Sequence, residues 1–300
     1  MTVHVNKGKP IYAFSKDNKP VAHVKPGDKV VIETYDCFED QVSSEETDYD
    51  AIDWNRINPA TGPIYIEGAE PGKVLAVHIE DIQITSKGVL STGKDLGTMG
   101  HRLSGLSFKI THINDNQIIF NDTIKIPLRK MIGVIGVAPE GEPVNCGTPG
   151  SHGGNMDTTL ITEHTTLYFP IYHQGALFGL GDMHAAMGDG EIGVSGVEIA
   201  GSATVRFEIR DDLKLNTPLL SNDQGIALIA SANTLDEAAQ NSVEGMIDLL
   251  SPAVDLSLPE LTMLLSAIGD VQVSQMVDPK RTARFVVPRW FLDLYKLPIL

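Results

Sequence analysis

The chain has 300 residues, of which 39 are acidic and 23 are basic, and its formal net charge is −16. This balance argues against a surface for nucleic acid or anionic membranes, because such surfaces rely on clustered Lys and Arg. Hydrophobic residues make up 42% of the chain and charged residues 21%, which is typical of a globular protein with a sizeable core and not of a disordered one.

Short β-type segments dominate the first 230 residues. Runs of β-branched or alternating residues, bounded by Gly, Pro, Asn and Asp, predict strands. Because no helix is predicted in this region, the pattern favours an all-β sandwich or barrel over alternating βαβ units. The clearest predicted strands cover residues 29–36, 73–84, 117–120, 123–128 and 203–210.

The last quarter of the chain has a different pattern. Apolar residues recur at helical spacing over 234–250 and 257–270, and each segment begins with a predicted capping box. The tail at 278–292 predicts a further strand. The expected fold class is therefore mainly β with a C-terminal α+β portion. We expect a jelly-roll-like β-sandwich body over residues 1–215 and an α+β portion over 216–300 packed on it.

A glycine- and proline-rich stretch at 139–157 is the first candidate site. It holds five Gly and three Pro in 19 residues and contains His152, Asn155 and Asp157. A surface loop with a few capping side chains is one interpretation. However, a loop longer than about 12–15 residues without structure of its own is usually functional or disordered, and this one lacks the charge of a disordered segment.

A second stretch, at 175–201, holds eight Gly in 27 residues. It contains a G-x-G-x-x-G match beginning at Gly188, but we reject dinucleotide binding because the sequence continues as a strand where that motif needs a helix.

The polar side chains between those glycines are more informative than the motif. Asp182 and His184 are two residues apart and therefore share one face of an extended segment, and Asp189 and Glu191 repeat the spacing. One imidazole with several carboxylates is a reasonable cage for a divalent ion such as zinc. The alternative is that Asp182 caps a turn while His184 is an ordinary core residue.

Several other sites can be excluded or given a structural interpretation. The sequence has no G-x-S-x-G elbow, no H-E-x-x-H helix and no Ser–Ser–Lys centre. Its two cysteines, Cys37 and Cys146, form no C-x-x-C pair, and we expect both thiols to be buried and inert. The acidic stretch 39–50 is typical of a solvated loop, although its oxygen ligands could also serve as a lid or a calcium site. No apolar run approaches the roughly 20 residues of a membrane span, and no signal-peptide stretch is evident, so we expect a soluble cytoplasmic protein.

Three segments together resemble the acetamidase/formamidase family: INPATGPIYIEGAEPGKVLAVHI (57–79), HGGNMD (152–157) and GALFGLGDMHAAMGDGE (175–191). The resemblance begins at PGDKVVIETYD (26–36). The resemblance extends over nearly the whole chain, and its motifs are long and specific. Two positions depart from the family: Met187, where Gln is common, and Lys73, where an acidic residue is usual. The Met187 departure bears on substrate range more than on fold.

The resemblance implies a cytoplasmic, homodimeric β-sandwich hydrolase that releases ammonia from short aliphatic amides such as formamide and acetamide, with a metal at its site. Its matching positions make Asp157, Asp182, His184 and Glu191 the site residues. Asp36 is a further acidic candidate, and the pocket would also be lined by His152 and Asn155.

Amide hydrolysis needs an activated water, stabilisation of the oxyanion and a proton for the departing ammonia. We expect Asp182, His184 and one more carboxylate, either Asp36 or Asp157, to ligate a divalent metal, most simply zinc, with calcium as a possible second ion. Glu191 is the expected general base and acid. The oxyanion would be held by His152–Asn155, through backbone N–H groups or the Asn155 amide. The alternative function is a metal-dependent protein that binds a small ligand without hydrolysing it, or another reaction type on the same scaffold.

Overall fold

The structure is a computed structural model that describes residues 1–295, and β-strands form most of it. The strands are Thr2–Val5 (β1), Pro10–Ile11 (β2), Ala13–Phe14 (β3), Ala22–Val24 (β4), Lys29–Thr34 (β5), Ala60–Ile66 (β6), Val74–Thr92 (β7), Ser107–Asn114 (β8), Gln117–Ile119 (β9), Lys125–Pro127 (β10), Met131–Gly136 (β11), Val144–Asn145 (β12), Gly153–Asn155 (β13), Thr166–Pro170 (β14), Phe178–His184 (β15), Glu198–Arg210 (β16), Leu219–Ser221 (β17), Gly225–Ala232 (β18), Asp270–Gln275 (β19) and Arg281–Pro288 (β20). The helices are Leu235–Leu250 (α1), Leu258–Ile268 (α2) and Arg289–Tyr295 (α3).

These strands join into one large, mainly antiparallel sheet, and only β3 and β12 pair separately. The long strands β7 and β16 pair along most of their length and form its centre. On β16 the alternating residues Ala203, Val205 and Phe207 are fully buried, while Arg206 between them is exposed. The strand therefore has one apolar face toward the main core, as its sequence alternation predicts. The mainly β fold class is confirmed.

The C-terminal helices pack on β18, β19 and β20 through a second hydrophobic cluster. Helix α1 begins as predicted, because the hydroxyl of Thr234 accepts a hydrogen bond from the Glu237 N–H at 3.2 Å. Helix α2 has the full reciprocal capping box of Ser257 and Glu260. Both predicted helices are confirmed, and no α-helix precedes residue 235 within the described chain.

The predicted tail strand is only partly correct. Residues 281–288 form β20, but the chain then enters α3 at Arg289, directly after Pro288. Phe291 and Leu292 are buried in the second cluster, and the Arg289 guanidinium pairs with Asp293 four residues on. Helical spacing on this short segment therefore prevails over its strand-like composition.

The predicted boundary between the β-sandwich body and the C-terminal portion, at 215/216, stays a prediction. The last five residues of that C-terminal portion, 296–300, lie outside the described residues. Strands on both sides of that boundary pair within the large sheet. None of the helices in the described chain has the length and apolar character that a bilayer crossing requires.

Candidate metal centre

The site begins where strand β15 ends. Asp182 and His184 lie at that end, and Glu198 opens β16 directly opposite His184 in the antiparallel register. The His184 Nε2 atom is 3.6 Å from Asp182 Oδ1 and 3.0 Å from Glu198 Oε2. All three side chains are buried. The pairing of two strands therefore places two carboxylates around one imidazole.

Two further acids come from loops. Asp157 follows β13, and Glu191 lies in the second glycine-rich stretch. Asp157 Oδ1 is 3.8 Å from His184 Nε2. One potential ligand atom from each of Asp157, His184 and Glu191 lies within 4.8 Å of the other two. The backbone N–H of Gly196 donates to Glu191 Oε1 at 3.1 Å, which fixes one oxygen of that carboxylate and leaves the other free.

Glycines supply the space for these side chains. A Cβ atom on Gly133 of strand β11 would lie 2.4 Å from Asp157 Oδ1 and 2.6 Å from Asp182 Oδ2. A Cβ on Gly196 would lie 2.8 Å from His184 Nδ1. Real Cβ atoms do not approach other atoms so closely, so any larger residue at either position would displace the ligand groups.

The C-terminal portion contributes an acid that sequence reasoning missed. Asp278 lies in the turn between β19 and β20, and its Oδ2 accepts a hydrogen bond from Asn155 Nδ2 at 3.0 Å. Its carboxylate also contacts Asp157. Glu198 was missed as well, although an acid among buried apolar residues at the start of a predicted strand is a detectable signal. We call the following residues the acid cluster: Asp157, Asp182, Glu191, Glu198 and Asp278, grouped around His184.

The loop that carries Glu191 is held against the C-terminal portion. Its Gly190 N–H donates to the Ser274 carbonyl at 2.8 Å, and the Met276 N–H donates back to the Gly190 carbonyl at 3.1 Å. Next to it, Asp189 accepts two hydrogen bonds from the buried Arg284 guanidinium, at 2.6 and 3.1 Å. Asp189 therefore anchors the loop, and only Glu191 of this pair reaches His184.

Burial dominates the electrostatics of the acids. It raises the pKa of Asp157 to about 7, and the charge of Asp182 adds to the effect. Burial raises the pKa of Glu198 to about 8, although the neighbouring His184 opposes the shift. For Glu191 and Asp278, burial and then the charge of Asp157 raise the pKa well above the ordinary range. These four acids are thus costly to ionise without a nearby cation.

The imidazole has the opposite balance. Burial by itself lowers the pKa of His184, but the charges of Glu198 and Asp182 outweigh burial and raise that pKa well above its usual value. In the described part of the chain, Asp157, Asp182 and Glu198 form ion pairs with His184, and none of the acid cluster pairs with a Lys or Arg side chain. The His184 imidazole is therefore the only basic side chain in the described ion pairs of these carboxylates.

Several polar atoms of the site have no hydrogen-bond partner among the described residues. They are both carboxylate oxygens of Asp157, Asp182 Oδ1, His184 Nδ1 and Glu191 Oε2. Buried polar atoms are nearly always satisfied in folded proteins. Nitrogen and carboxylate donors within a few ångströms of one another form a normal ligand set for a divalent ion. The residues present therefore fit a metal ion.

Asp36 and Cys37 lie beside this region in different roles. Asp36 Oδ1 accepts hydrogen bonds from the N–H groups of Phe38 and Asp40, at 3.0 and 2.8 Å, and burial raises its pKa to about 6. No group of ligand atoms found in residues 1–295 includes Asp36, so its proposed ligand role stays a prediction. The Cys37 thiol is buried, and it groups with Asp182 and Glu198 within 4.8 Å.

His152 and Asn155 are buried on the neighbouring strand β13 and the turn before it. The His152 ring packs edge-on against Phe14 with 5.3 Å between centroids, and burial lowers its pKa to about 4. Its Nε2 and the Asn155 Oδ1 have no partner in the described chain. Their catalytic roles, like that of Glu191, stay predictions.

A cleft of about 870 Å³ reaches the site at Glu191. Met187 also lines it, and most of its other lining side chains are apolar, including Leu90, Phe108 and Ile126. The acidic stretch 39–50 borders this cleft, because Glu45 pairs with the cleft-lining Lys109 at 3.2 Å. It supplies no group of ligand atoms within the described residues, so a lid or a calcium site there stays a prediction.

Comparisons with known proteins identify the family of the chain. A model of the Acetamidase/Formamidase family matches residues 6–146 and 141–289. A crystal structure from Thermoanaerobacter tengcongensis, described as a predicted acetamidase/formamidase, is 49% identical, with a TM-score of 0.97 over 100% of this chain and 99% of that chain. An acetamidase structure from Bacillus halodurans is 43% identical, with a TM-score of 0.96 over 98% of this chain and 100% of that chain.

Among curated proteins, a formamidase from Methylophilus methylotrophus is 24% identical over 254 residues, which make up 65% of this chain and 62% of that protein. The chain thus spans less than two-thirds of the length of the curated relatives that it matches.

Proposed function

The chain belongs to the Acetamidase/Formamidase family, and on that premise we propose that it is an amidohydrolase that converts short-chain aliphatic amides to a carboxylate and ammonia. The observation that carries the proposal is the buried convergence of Asp157, Asp182, His184 and Glu191 with unpartnered polar atoms. The family's relatives include an acetamidase and a formamidase. A primary amide is a poor electrophile with a poor leaving group, so it needs such a concentration of polar groups.

We propose that Asp157, Asp182 and His184 hold the metal ion, with zinc as the ion that this mixed nitrogen and oxygen set suits. When bound, such an ion lowers the pKa of water and polarises a carbonyl. Asp157 replaces Asp36 in this assignment, because Asp157 Oδ1 lies 3.8 Å from the imidazole while Asp36 caps a turn.

We assign the proton-carrying role to Glu191. Its Oε1 is fixed by the Gly196 N–H, and its Oε2 is free in the same group as Asp157 and His184. Because burial raises the pKa of Glu191, the carboxylate accepts a proton from water readily and can return it to the amide nitrogen. Glu191 also borders the cleft, so it lies where an entering substrate would meet the site.

The Asn155 amide, one of the proposed oxyanion donors, already has a hydrogen-bond partner. Asn155 Nδ2 already donates to Asp278, so this amide can serve the oxyanion only if it leaves that bond. The Gly153 N–H likewise donates to the Gly150 carbonyl at 3.1 Å, so the Gly154 N–H is the other donor that we propose. One well-placed donor of this kind contributes roughly 3–4 kcal/mol to catalysis.

The test is ammonia release from formamide, acetamide and propionamide by protein loaded with zinc. We expect Asp182→Asn and His184→Ala to lower both metal content and turnover. Glu191→Gln should keep the metal and lower kcat by roughly 10²-fold. His112→Ala, on the exposed face of β8, is the matched control and should change neither.

Two outcomes would overturn the assignment. If no short amide is turned over with zinc bound, the protein is instead a metal-dependent ligand-binding protein or catalyses another reaction, the alternative that the Met187 departure leaves open. Full metal occupancy after loss of both Asp182 and His184 would refute the ligand set.

We also propose that the chain is a cytoplasmic homodimer, as the family resemblance implies. Light scattering coupled to gel filtration gives the mass that tests the dimer.

A further inference from the structure

A second set of ligand atoms adjoins the first, and two of its members, Cys37 and Glu198, have no role in the proposed reaction. One potential ligand atom from each of Cys37, Asp182 and Glu198 lies within 4.8 Å of the other two. Their exposed fractions are 7%, 3% and 2%, so all three are more than nine-tenths buried.

The side chains of this set satisfy one another only in part, through a contact between the Cys37 thiol and the Glu198 carboxylate. Asp182 Oδ1 and Glu198 Oε2 have no hydrogen-bond partner in the described chain, although Glu198 Oε2 lies 3.0 Å from His184 Nε2. Two buried acceptor atoms of the set therefore lack an aligned donor. Such an arrangement is unfavourable in a protein interior unless a cation occupies it.

The charge of the whole site points the same way. The acid cluster has five carboxylates, and His184 is their only basic partner in the described ion pairs. One divalent ion neutralises two carboxylates, which leaves three for a single imidazole. Two divalent ions neutralise four, so that one carboxylate and the Cys37 thiolate remain, and the imidazole can then be neutral, which is the form in which it binds metal.

The two sets of ligand atoms meet at Asp182. Asp182 belongs to the second set, and its Oδ1 lies 3.6 Å from His184 Nε2, which belongs to the first. Its other oxygen and Asp157 Oδ1 both lie within 2.6 Å of one point, the Cβ position of Gly133. Asp182 would therefore be a ligand shared by the two sites, with one oxygen available to each ion.

We propose that Cys37, Asp182 and Glu198 hold a second divalent transition-metal ion beside the first. A thiolate with two carboxylates selects zinc, cobalt or iron over calcium and magnesium, which prefer oxygen ligands alone. Cys37 thus has a ligand role, in contrast to the inert thiol expected from the sequence. The inference rests on the proposed function for the assignment of the first ion.

The experiment is a cobalt(II) titration of metal-free protein, followed by optical absorption. A thiolate bound to cobalt gives a charge-transfer band in the near ultraviolet that carboxylate and imidazole ligands do not give. We expect two equivalents to bind per chain and the thiolate band to appear. Cys37→Ser should remove the band and one equivalent, and Glu198→Gln should remove the same equivalent.

Cys146→Ser is the matched control, because Cys146 is also a buried thiol but lies in a separate cluster with Phe14. It should retain both equivalents and the band. Circular dichroism of each metal-free variant shows whether it folds. A single bound equivalent in the wild-type protein, or two equivalents without a thiolate band, would overturn the proposal even if no variant folds.

Amide turnover separates this inference from the proposed function. A protein that binds two cobalt ions through Cys37 but hydrolyses no amide supports the second site and refutes the proposed reaction. Amide hydrolysis with one bound ion and no thiolate band supports the proposed reaction and refutes the second site.

Discussion

Replacing Gly133 by alanine would place a methyl group among the acids of the site. Gly133 lies on β11 opposite β15, and its added Cβ would be 2.4 Å from Asp157 Oδ1 and 2.6 Å from Asp182 Oδ2. The residue is not in the left-handed backbone region, so alanine meets no conformational penalty there. Any effect of the substitution therefore reports the lack of space between the two carboxylates.

Both carboxylates must move by several tenths of an ångström or more to admit the methyl group. Overpacking of this kind costs about 1–3 kcal/mol. For a protein of this size, that corresponds to a fall in Tm of roughly 2–4 °C per kcal/mol. Misplacing ligand groups lowers metal affinity by about 10–100-fold, the range found when groups that orient metal ligands are removed. We therefore expect a modest loss of stability and a larger loss of metal binding.

The assay pairs thermal melts of the metal-free protein with a zinc competition titration against a chelating dye. Gly141→Ala is the control, since its Cβ would meet nothing within 4 Å. Gly133→Ala should bind zinc at least tenfold more weakly than this control. If the two variants bind zinc with equal affinity and melt together, the carboxylates flanking Gly133 are not metal ligands and the site assignment is wrong.

Three further predictions concern pH, substrate size and loop anchoring. Because burial raises the pKa of Asp157 to about 7 and of Glu198 to about 8, the folded metal-free protein retains protons that the unfolded chain has released. Its Tm in chelator should therefore fall as the pH rises from about 6.5 to 8, and a rising Tm would contradict this. The apolar cleft should raise kcat/KM by roughly fourfold per methylene from acetamide to butyramide, since burying one CH₂ is worth about 0.8 kcal/mol. Met187→Gln should reduce that gain. If kcat/KM of the wild-type protein is the same for all these amides, the cleft is not the acyl pocket. Asp189→Asn should weaken the ion pair with Arg284 and lower kcat several-fold. Metal analysis should show unchanged metal content, and the pH profile of kcat should show the loss of activity. An unchanged kcat would exclude the anchoring role of Asp189.

Those features of the fold that depend on local signals could be predicted from the sequence. The capping residues Thr234 and Ser257 begin helices where the sequence places them. The alternation of residues 203–210 gives the buried face of β16. The tail was predicted less well, because Pro288 ends the strand and the next seven residues turn into helix α3. A segment that short carries too few periodic positions to distinguish strand from helix.

The candidate site was predictable only where its residues are near neighbours in the chain. Asp182 and His184 stand out because a spacing of two puts both on one face of a strand. Asp278 reaches the site from a turn that is 123 residues beyond its partner Asn155. Glu198 reaches His184 through strand pairing. No local pattern encodes these long-range contacts, so the acids that complete the cluster emerge only from the folded chain.

The acid cluster also links stability to metal binding. Burying a carboxylate without a partner destabilises the folded state, and the destabilisation grows when several carboxylates share one pocket. The main sheet and the loop anchored by Arg284 nevertheless hold these acids together, since the bulk of the apolar core lies in the strands around them. A bound ion stabilises only the folded chain, by an amount that rises with its concentration over Kd. The same carboxylates that prepare the site for catalysis therefore make the fold depend on its metal, and the pH trend of the metal-free protein measures that dependence without reference to any substrate.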